Sequence, residues 1–261
     1  MHTPFDEVIE NIVAEHYHNH RKQIHSDIVS RGIFRDLMQK CPELKQDVDN
    51  KVVKSWLNVK SPTHRKRKMD LLIGEPDSSG KPDLQKVRIC IENKSVITAH
   101  RNRDARFDDL HEVLQGLHSI QSEIIMGGTV MVGIADRVLN IPDGVKSHFK
   151  SKKKVFETTI VPRLSTGDQT LWEEFPDDIS YNKQPDDVLT TIKKFQELPK
   201  RQIGHTHVVG YDNLLFIPVF IDNVNPSYLA RDNKLGINVD AEYQKMLERI
   251  CVAYRTRWHL T

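Results

Sequence analysis

Two β-favouring runs flank a stretch of turn formers, and the second run ends on alternating charge. Met69-Asp70-Leu71-Leu72-Ile73-Gly74 reads as a short strand. Glu75 to Asp83 is crowded with Pro, Gly, Ser and Asp and reads as a turn. Lys86 to Lys94 then alternates: Val87, Ile89 and Ile91 face one way, and Arg88, Cys90, Glu92 and Lys94 the other. Residues 102–121 suit an amphipathic helix through Phe107, Leu110, Val113, Leu114 and Leu117, with Gly127-Gly128 closing that stretch. Thr129 to Ala135 is an apolar run expected as a buried strand. Strand, helix, strand in this order predicts a right-handed crossover joining a parallel pair.

Around this centre, residues 5–17 form an amphipathic helix through Phe5, Val8, Ile9, Ile12 and Val13. More helix is expected through residues 21–58, with Ile24, Ile28, Phe34 and Leu37 buried, and Pro62 marks a break. Residues 140–210 are polar and resist assignment, Leu214 to Val224 favours β, and residues 240–256 read as a closing helix through Tyr243, Met246, Leu247 and Ile250. The simplest account is one α/β domain over residues 1–261. It divides into a helical N-terminal portion (1–60), a core (65–135), a further region (140–235) and a closing helix (238–257).

Composition narrows the class. Charged residues make up 28% and hydrophobic ones 38%, as in ordinary globular proteins. No run is apolar and long enough for a membrane span, and the first residues lack the basic and apolar blocks of a signal peptide, so the expected location is the cytoplasm. The three cysteines (Cys41, Cys90, Cys251) lie far apart, which argues against a disulfide framework or a cysteine zinc site. There is no P-loop, GxGxxG or G-x-S-x-G motif. The net charge is only +2, but basic residues cluster in His64-Arg65-Lys66-Arg67-Lys68 and in Lys146, Lys150, Lys152, Lys153 and Lys154. Phosphate contacts act within about a Debye length, roughly 8–10 Å, so local clusters are enough for a nucleic-acid partner.

The charged end of the second strand carries the chemistry. A turn centred near residue 81 places Asp70 opposite Glu92, and directly opposed side chains in an antiparallel pair lie roughly 4.5–5.5 Å apart at Cβ. Two carboxylates that close repel unless a cation sits between them. All-oxygen ligation suits a hard ion such as Mg²⁺. Lys94, two residues beyond Glu92, shares its face and can hold a water beside such an ion.

Met69-Asp70 and Ile91-Glu92-Asn93-Lys94, followed by a helix and an apolar strand, resemble the core of the PD-(D/E)XK nucleases, and among these the type II restriction endonucleases. The likeness covers roughly residues 65–135. It implies a restriction-endonuclease-like α/β core with a central mixed sheet flanked by helices. Asp70, Glu92 and Lys94 would be catalytic, with Asp70, Glu92 and the backbone carbonyl of Asn93 as ligands of Mg²⁺, or of Mn²⁺ in its place. The family's proline before the aspartate is Met69 here. The literal Pro76-Asp77 and Pro82-Asp83 pairs are rejected because both aspartates lie too far from Glu92. An acid from an N-terminal helix sometimes completes such sites, and Glu15 and Glu10 are the candidates.

Arg101, Asn102, Arg103 and Arg106 follow the active-site strand and suit phosphate contacts and base-edge reading. Positive charge at a helix start opposes the helix dipole, a conflict that an anionic partner would relieve. The reading at this point is a Mg²⁺-dependent, site-specific double-strand DNA endonuclease of the restriction type. A homodimer is expected, because cutting both strands of a palindrome calls for two equivalent sites. Residues 140–235 would then supply recognition and dimer contacts, with Lys150, Lys152, Lys153 and Lys154 on the phosphate backbone. The alternatives are a repair or defence nuclease that reads structure or modification, and a non-catalytic nucleic-acid-binding module.

Overall fold

The computed structural model describes residues 1–15, 23–62, 67–97, 100, 102–139, 158, 160–174, 179–181 and 186–259. Three helices open the chain: α1 (Pro4–Glu15), α2 (Gln23–Lys40) and α3 (Pro42–Asp49). Strands β1 (Lys54–Lys60), β2 (Lys68–Pro76) and β3 (Pro82–Val96) follow, then α4 (Arg103–Ile120) and β4 (Ile125–Gly133). Next come β5 (Arg137–Leu139), the short helices α5 (Val161–Ser165) and α6 (Leu171–Glu174), β6 (Ile179–Tyr181) and α7 (Asp187–Gln196). The chain closes with β7 (Asn213–Phe220), β8 (Tyr228–Leu229) and α8 (Val239–Trp258).

Six strands form one mixed sheet in the order β1-β2-β3-β4-β7-β8, and β5 pairs with β6 apart from it. β1, β2 and β3 are antiparallel neighbours, β3-β4 and β4-β7 are parallel, and β8 returns antiparallel on β7. The parallel pairs need crossovers, and α4 and α7 supply them on one face. Leu110, Val113, Leu114 and Leu117 of α4 and Ile192 and Phe195 of α7 pack there against Leu72, Cys90, Met126 and Val130. The other face carries α1, α2, α3 and α8, with Ile33, Leu37, Leu44, Met246, Leu247 and Ile250 against Leu71, Ile73, Ile89, Ile91 and Ile217. The result is an α/β architecture with the sheet between two helical layers.

The N-terminal portion is not helical throughout. The expected helix over 21–58 breaks at Cys41-Pro42: Cys41 is extended (φ −112°, ψ 95°), as the residue before a proline tends to be, and Pro42 opens α3 where a missing N–H costs nothing. Lys54–Lys60 is a strand, because its backbone completes the edge of β2, with Leu57 opposite Leu71. Its sequence offers little alternation to mark it, since the apolar Trp56 and Leu57 are adjacent and both are half-buried. Ile24 is 47% exposed and Val13 42%, so neither joins the core.

β4 begins four residues before the expected Thr129, and Gly127 and Gly128 lie inside it. They end nothing: a Cβ on Gly127 would meet Ile91, and one on Gly128 would meet Leu214 and Tyr211. The glycines let neighbouring side chains from both layers close over a central strand.

Candidate active site

The turn of the β2–β3 hairpin lies nearer residue 79 than 81, since Pro76 pairs with Pro82. Gly80 adopts φ +82° at its tip, and Asp77 Oδ1 accepts from the Ser79 and Lys81 N–H groups. A regular ladder from that turn would not oppose residues 70 and 92. The register shifts at Gly74 and Pro76, however, so that β3 takes nine steps from Pro82 to Ile91 where β2 takes five from Pro76 to Leu71. One irregularity leaves Arg88 between the paired residues Val87 and Ile89. It also turns Val87 to the α4 side, away from Ile89 and Ile91, and aims Arg88 at Asp47 and Tyr254 on the opposite layer. The outcome for the acids matches the simple expectation by a different route: Leu71 sits opposite Ile91, and Asp70 and Glu92 come next.

By period two, Asp70 follows Leu72, and Glu92 and Lys94 follow Cys90, onto the α4 face. There the Asp70 N–H donates to Glu92 Oε1 (3.3 Å), Lys94 Nζ donates to Glu92 Oε2 (2.7 Å), and Lys94 Nζ lies 3.7 Å from Asp70 Oδ2. Asn93, pointing the other way, gives its backbone N–H to Asp70 Oδ2 (2.7 Å). The three charged groups thus share one small volume, with side-chain exposures of 14%, 0% and 13% for Asp70, Glu92 and Lys94.

Their charges do not cancel. Two carboxylates face one ammonium, and burial pushes the Glu92 carboxyl up to about 7, with Lys94 opposing and Asp70 adding to the shift. Lys94 behaves in the opposite sense. Burial works against its charge, but the Glu92 and Asp70 carboxylates outweigh burial and hold it above the usual lysine range. It is therefore an ammonium at neutral pH, a donor and not a base. An oxygen-lined pocket with excess negative charge suits a hard divalent cation. The donor set fits: among the described residues Asp70 Oδ1 receives no hydrogen bond, and the backbone beside it is set by Asn93.

The remaining expected residues scatter. Arg103 is half-buried and lies 3.7 Å from Asp187 of α7 and 3.8 Å from Asp104. Carboxylates of the same chain thus answer the conflict between positive charge and the start of α4. Asn102 is exposed at that helix start, and Arg106 pairs with Asp109 at 3.0 Å. Arg101 and Lys150, Lys152, Lys153 and Lys154 lie outside the described residues. Glu15 is the last residue of α1; the N-terminal helix that meets β3 beside the site is α2, through Ser30 and the Asn93 amide on the far face of the sheet. Asp77 and Asp83 serve the hairpin instead, Asp83 accepting from the Gln85 N–H.

Sequence reasoning missed the groups on the far side of the sheet. The Asn93 amide donates to Ser30 Oγ (2.8 Å) and to Ser26 Oγ and the Ser26 carbonyl (both 3.3 Å), while Thr129 Oγ1 donates to Asn93 Oδ1 (2.8 Å). The signal was small polar residues at helical spacing, Ser26 and Ser30, on the stripe that buries Ile33 and Leu37. It also missed that α3 and α8 bring Cys41, Glu43 and Cys251 together, with one ligand-type atom of each within 4.8 Å of the others. These groups already have partners: the Cys41 thiol points to Glu43 Oε2 (3.7 Å), the Cys251 thiol to the Lys40 carbonyl (3.7 Å), and Arg255 pairs with Glu43.

No family model, no curated protein and no solved structure matches this chain. No described helix is long and apolar enough to cross a membrane.

Proposed function

We propose that this chain is a DNA endonuclease that hydrolyses phosphodiester bonds with a divalent cation, Mg²⁺ first and Mn²⁺ as a substitute. Asp70 and Glu92 hold the ion, together with the Asn93 backbone carbonyl. The observation that carries the reading is the meeting of two carboxylates and one ammonium, with net negative charge, where β3 leaves β2. When bound, the cation neutralises a phosphate oxygen and lowers the pKa of a water.

The chain's own residues do the rest. Asp70 is oriented by the Asn93 N–H, which leaves Oδ1 for the ion. Glu92, whose carboxyl titrates near 7 without the ion, is fully ionised once a cation compensates it. Lys94 stays protonated, orients the attacking water through its N–H bonds and stabilises charge building on the phosphate. The core of β2, β3, α4 and β4 is in this reading restriction-endonuclease-like. The enzyme would be of the site-specific restriction type and act on double-stranded DNA as a homodimer with two equivalent sites.

The test incubates the protein with plasmid and Mg²⁺, then repeats the reaction with Asp70→Ala, with Lys94→Ala and with EDTA. Discrete bands lost in all three arms support the reading, and unchanged cleavage by both variants refutes it. Smeared or structure-dependent products point to a repair or defence nuclease. Binding without cleavage under any divalent ion points to a nucleic-acid-binding module.

A further inference from the structure

Asn93 lies between Glu92 and Lys94, but its side chain points to the other layer. There both the nitrogen and the oxygen of its amide are hydrogen-bonded. The nitrogen donates to Ser30 Oγ and to both oxygens of Ser26, and the oxygen accepts from Thr129 Oγ1. Ser30 is wholly buried and Thr129 is 1% exposed. A buried hydroxyl is costly without a partner, so these groups hold one arrangement. Thr129 sits directly beside Asn93 in the parallel β3–β4 ladder, and Ser26 and Ser30 lie one turn apart on α2, so two elements grip the same amide.

The grip has a direction. The backbone N–H of Asn93 holds Asp70 Oδ2 at 2.7 Å on the opposite face. Rotating or shifting Asn93 would move that N–H and the adjacent carbonyl together.

We infer that Ser30, Thr129 and the Asn93 amide are positioning residues that set the cation-binding geometry of Asp70 from the far face of the sheet. The inference rests on the cation reading of Asp70 and Glu92. Helix α2 thereby acts on the site through a backbone amide, without presenting a ligand. Partners that orient metal ligands are worth about 10–100-fold in affinity when removed, and the same scale applies here.

Thr129→Val keeps the shape and removes the hydroxyl, leaving Asn93 Oδ1 without its donor. Calorimetric titration of the EDTA-stripped full chain with Mn²⁺ alone is the direct readout. Thr129→Val and Ser30→Ala each weaken Mn²⁺ binding about tenfold, and Thr129→Ser restores it. In plasmid cleavage the Mg²⁺ concentration for half-maximal rate rises by a similar factor, while the rate at saturating Mg²⁺ stays near that of the wild type. If Thr129→Val does not fold, Ser30→Ala with the same titration decides. Wild-type affinity in both variants, or a Thr129→Ser protein as weak as Thr129→Val, overturns the positioning role. A wild-type chain that takes up no divalent ion overturns the reading beneath it, a distinct outcome seen before any variant is made.

Discussion

Two buried ionic clusters in this molecule are built with opposite imbalance. Where β3 leaves β2, two carboxylates share one ammonium. Where β7 begins, one carboxylate, Asp212, lies between two guanidiniums. Arg201 Nη2 is 2.9 Å from Asp212 Oδ2 and Arg257 Nη2 is 2.5 Å from Oδ1, and all three side chains are essentially unexposed. Most of the surplus at the second cluster is absorbed internally, although Arg257 Nε is buried with no hydrogen-bond partner among the described residues. Arg201 donates to the carbonyls of Ser122 and Ile124, Arg257 to that of Glu123, and the Met126 N–H donates to Asp212. These bonds tie the turn before β4 to the end of α8. The first cluster also receives backbone donors, the Asp70 N–H on Glu92 and the Asn93 N–H on Asp70, but among the described residues Asp70 Oδ1 accepts nothing, and burial pushes the Glu92 carboxyl up to about 7. The second cluster carries surplus positive charge met by carbonyls, whereas the first carries surplus negative charge, the sign that the proposed cation would balance.

Proton linkage separates the two clusters further. Folded Glu92 keeps its proton up to about pH 7, while the unfolded side chain releases it near 4.5. The native state binds more protons in that window, so stability from this group falls as pH rises through it. His118 lies beside the second cluster. Burial first, then Arg201 and Arg257, lower its pKa to about 4 from 6.5. Among the described residues neither ring nitrogen has a hydrogen-bond partner. Here the unfolded state binds the extra proton, so stability is lost as pH falls from 6.5 towards 4.

The largest effect is expected at the closed cluster. Asp212→Ala strands two buried guanidiniums and should cost about 3–5 kcal/mol in urea unfolding; a loss under about 1 kcal/mol would dissolve the contrast. The matching operation at the open cluster, Lys94→Met, should lower cleavage at least about 100-fold. Its cost in stability should be the smaller of the two, because Glu92 can take up a proton. A Lys94→Met chain that unfolds as readily as Asp212→Ala would make the site merely structural.

Next comes Glu92→Gln, measured without metal. It should raise stability by up to about 3 kcal/mol above pH 7 and by nothing below pH 4.5. A pH-independent difference would remove the buried carboxylate from the account. The smallest effect belongs to His118→Leu, which should spare the chain about 2 kcal/mol of acid-side loss between pH 6.5 and 4 and leave neutral stability little changed. Parallel acid limbs for wild type and variant would show that His118 takes no part.

What was legible in the chain was local. The hairpin, the α4 stripe and the shared face of Glu92 and Lys94 follow from periods of two and 3.6, which each side chain obeys through its own backbone. Read from the sequence, Asp70 stands opposite Glu92 on a turn centred two residues too late, and the irregularity at Arg88 with the longer β3 arm makes up the difference, leaving Leu71 opposite Ile91.

Long-range packing decided the rest. β1 is a strand because β2 offered an open edge, Gly127 and Gly128 are strand residues because β3 and β7 pair with them on both sides, and the Ser26–Ser30–Thr129 grip on Asn93 exists only once α2 and β4 meet β3. Arg201, Asp212 and Arg257 come from separate parts of the chain. A sequence states which residues carry charge and which way a strand or helix turns them. Whether that charge is closed off or left open depends on partners dozens of residues away, which only the folded backbone brings within hydrogen-bonding reach.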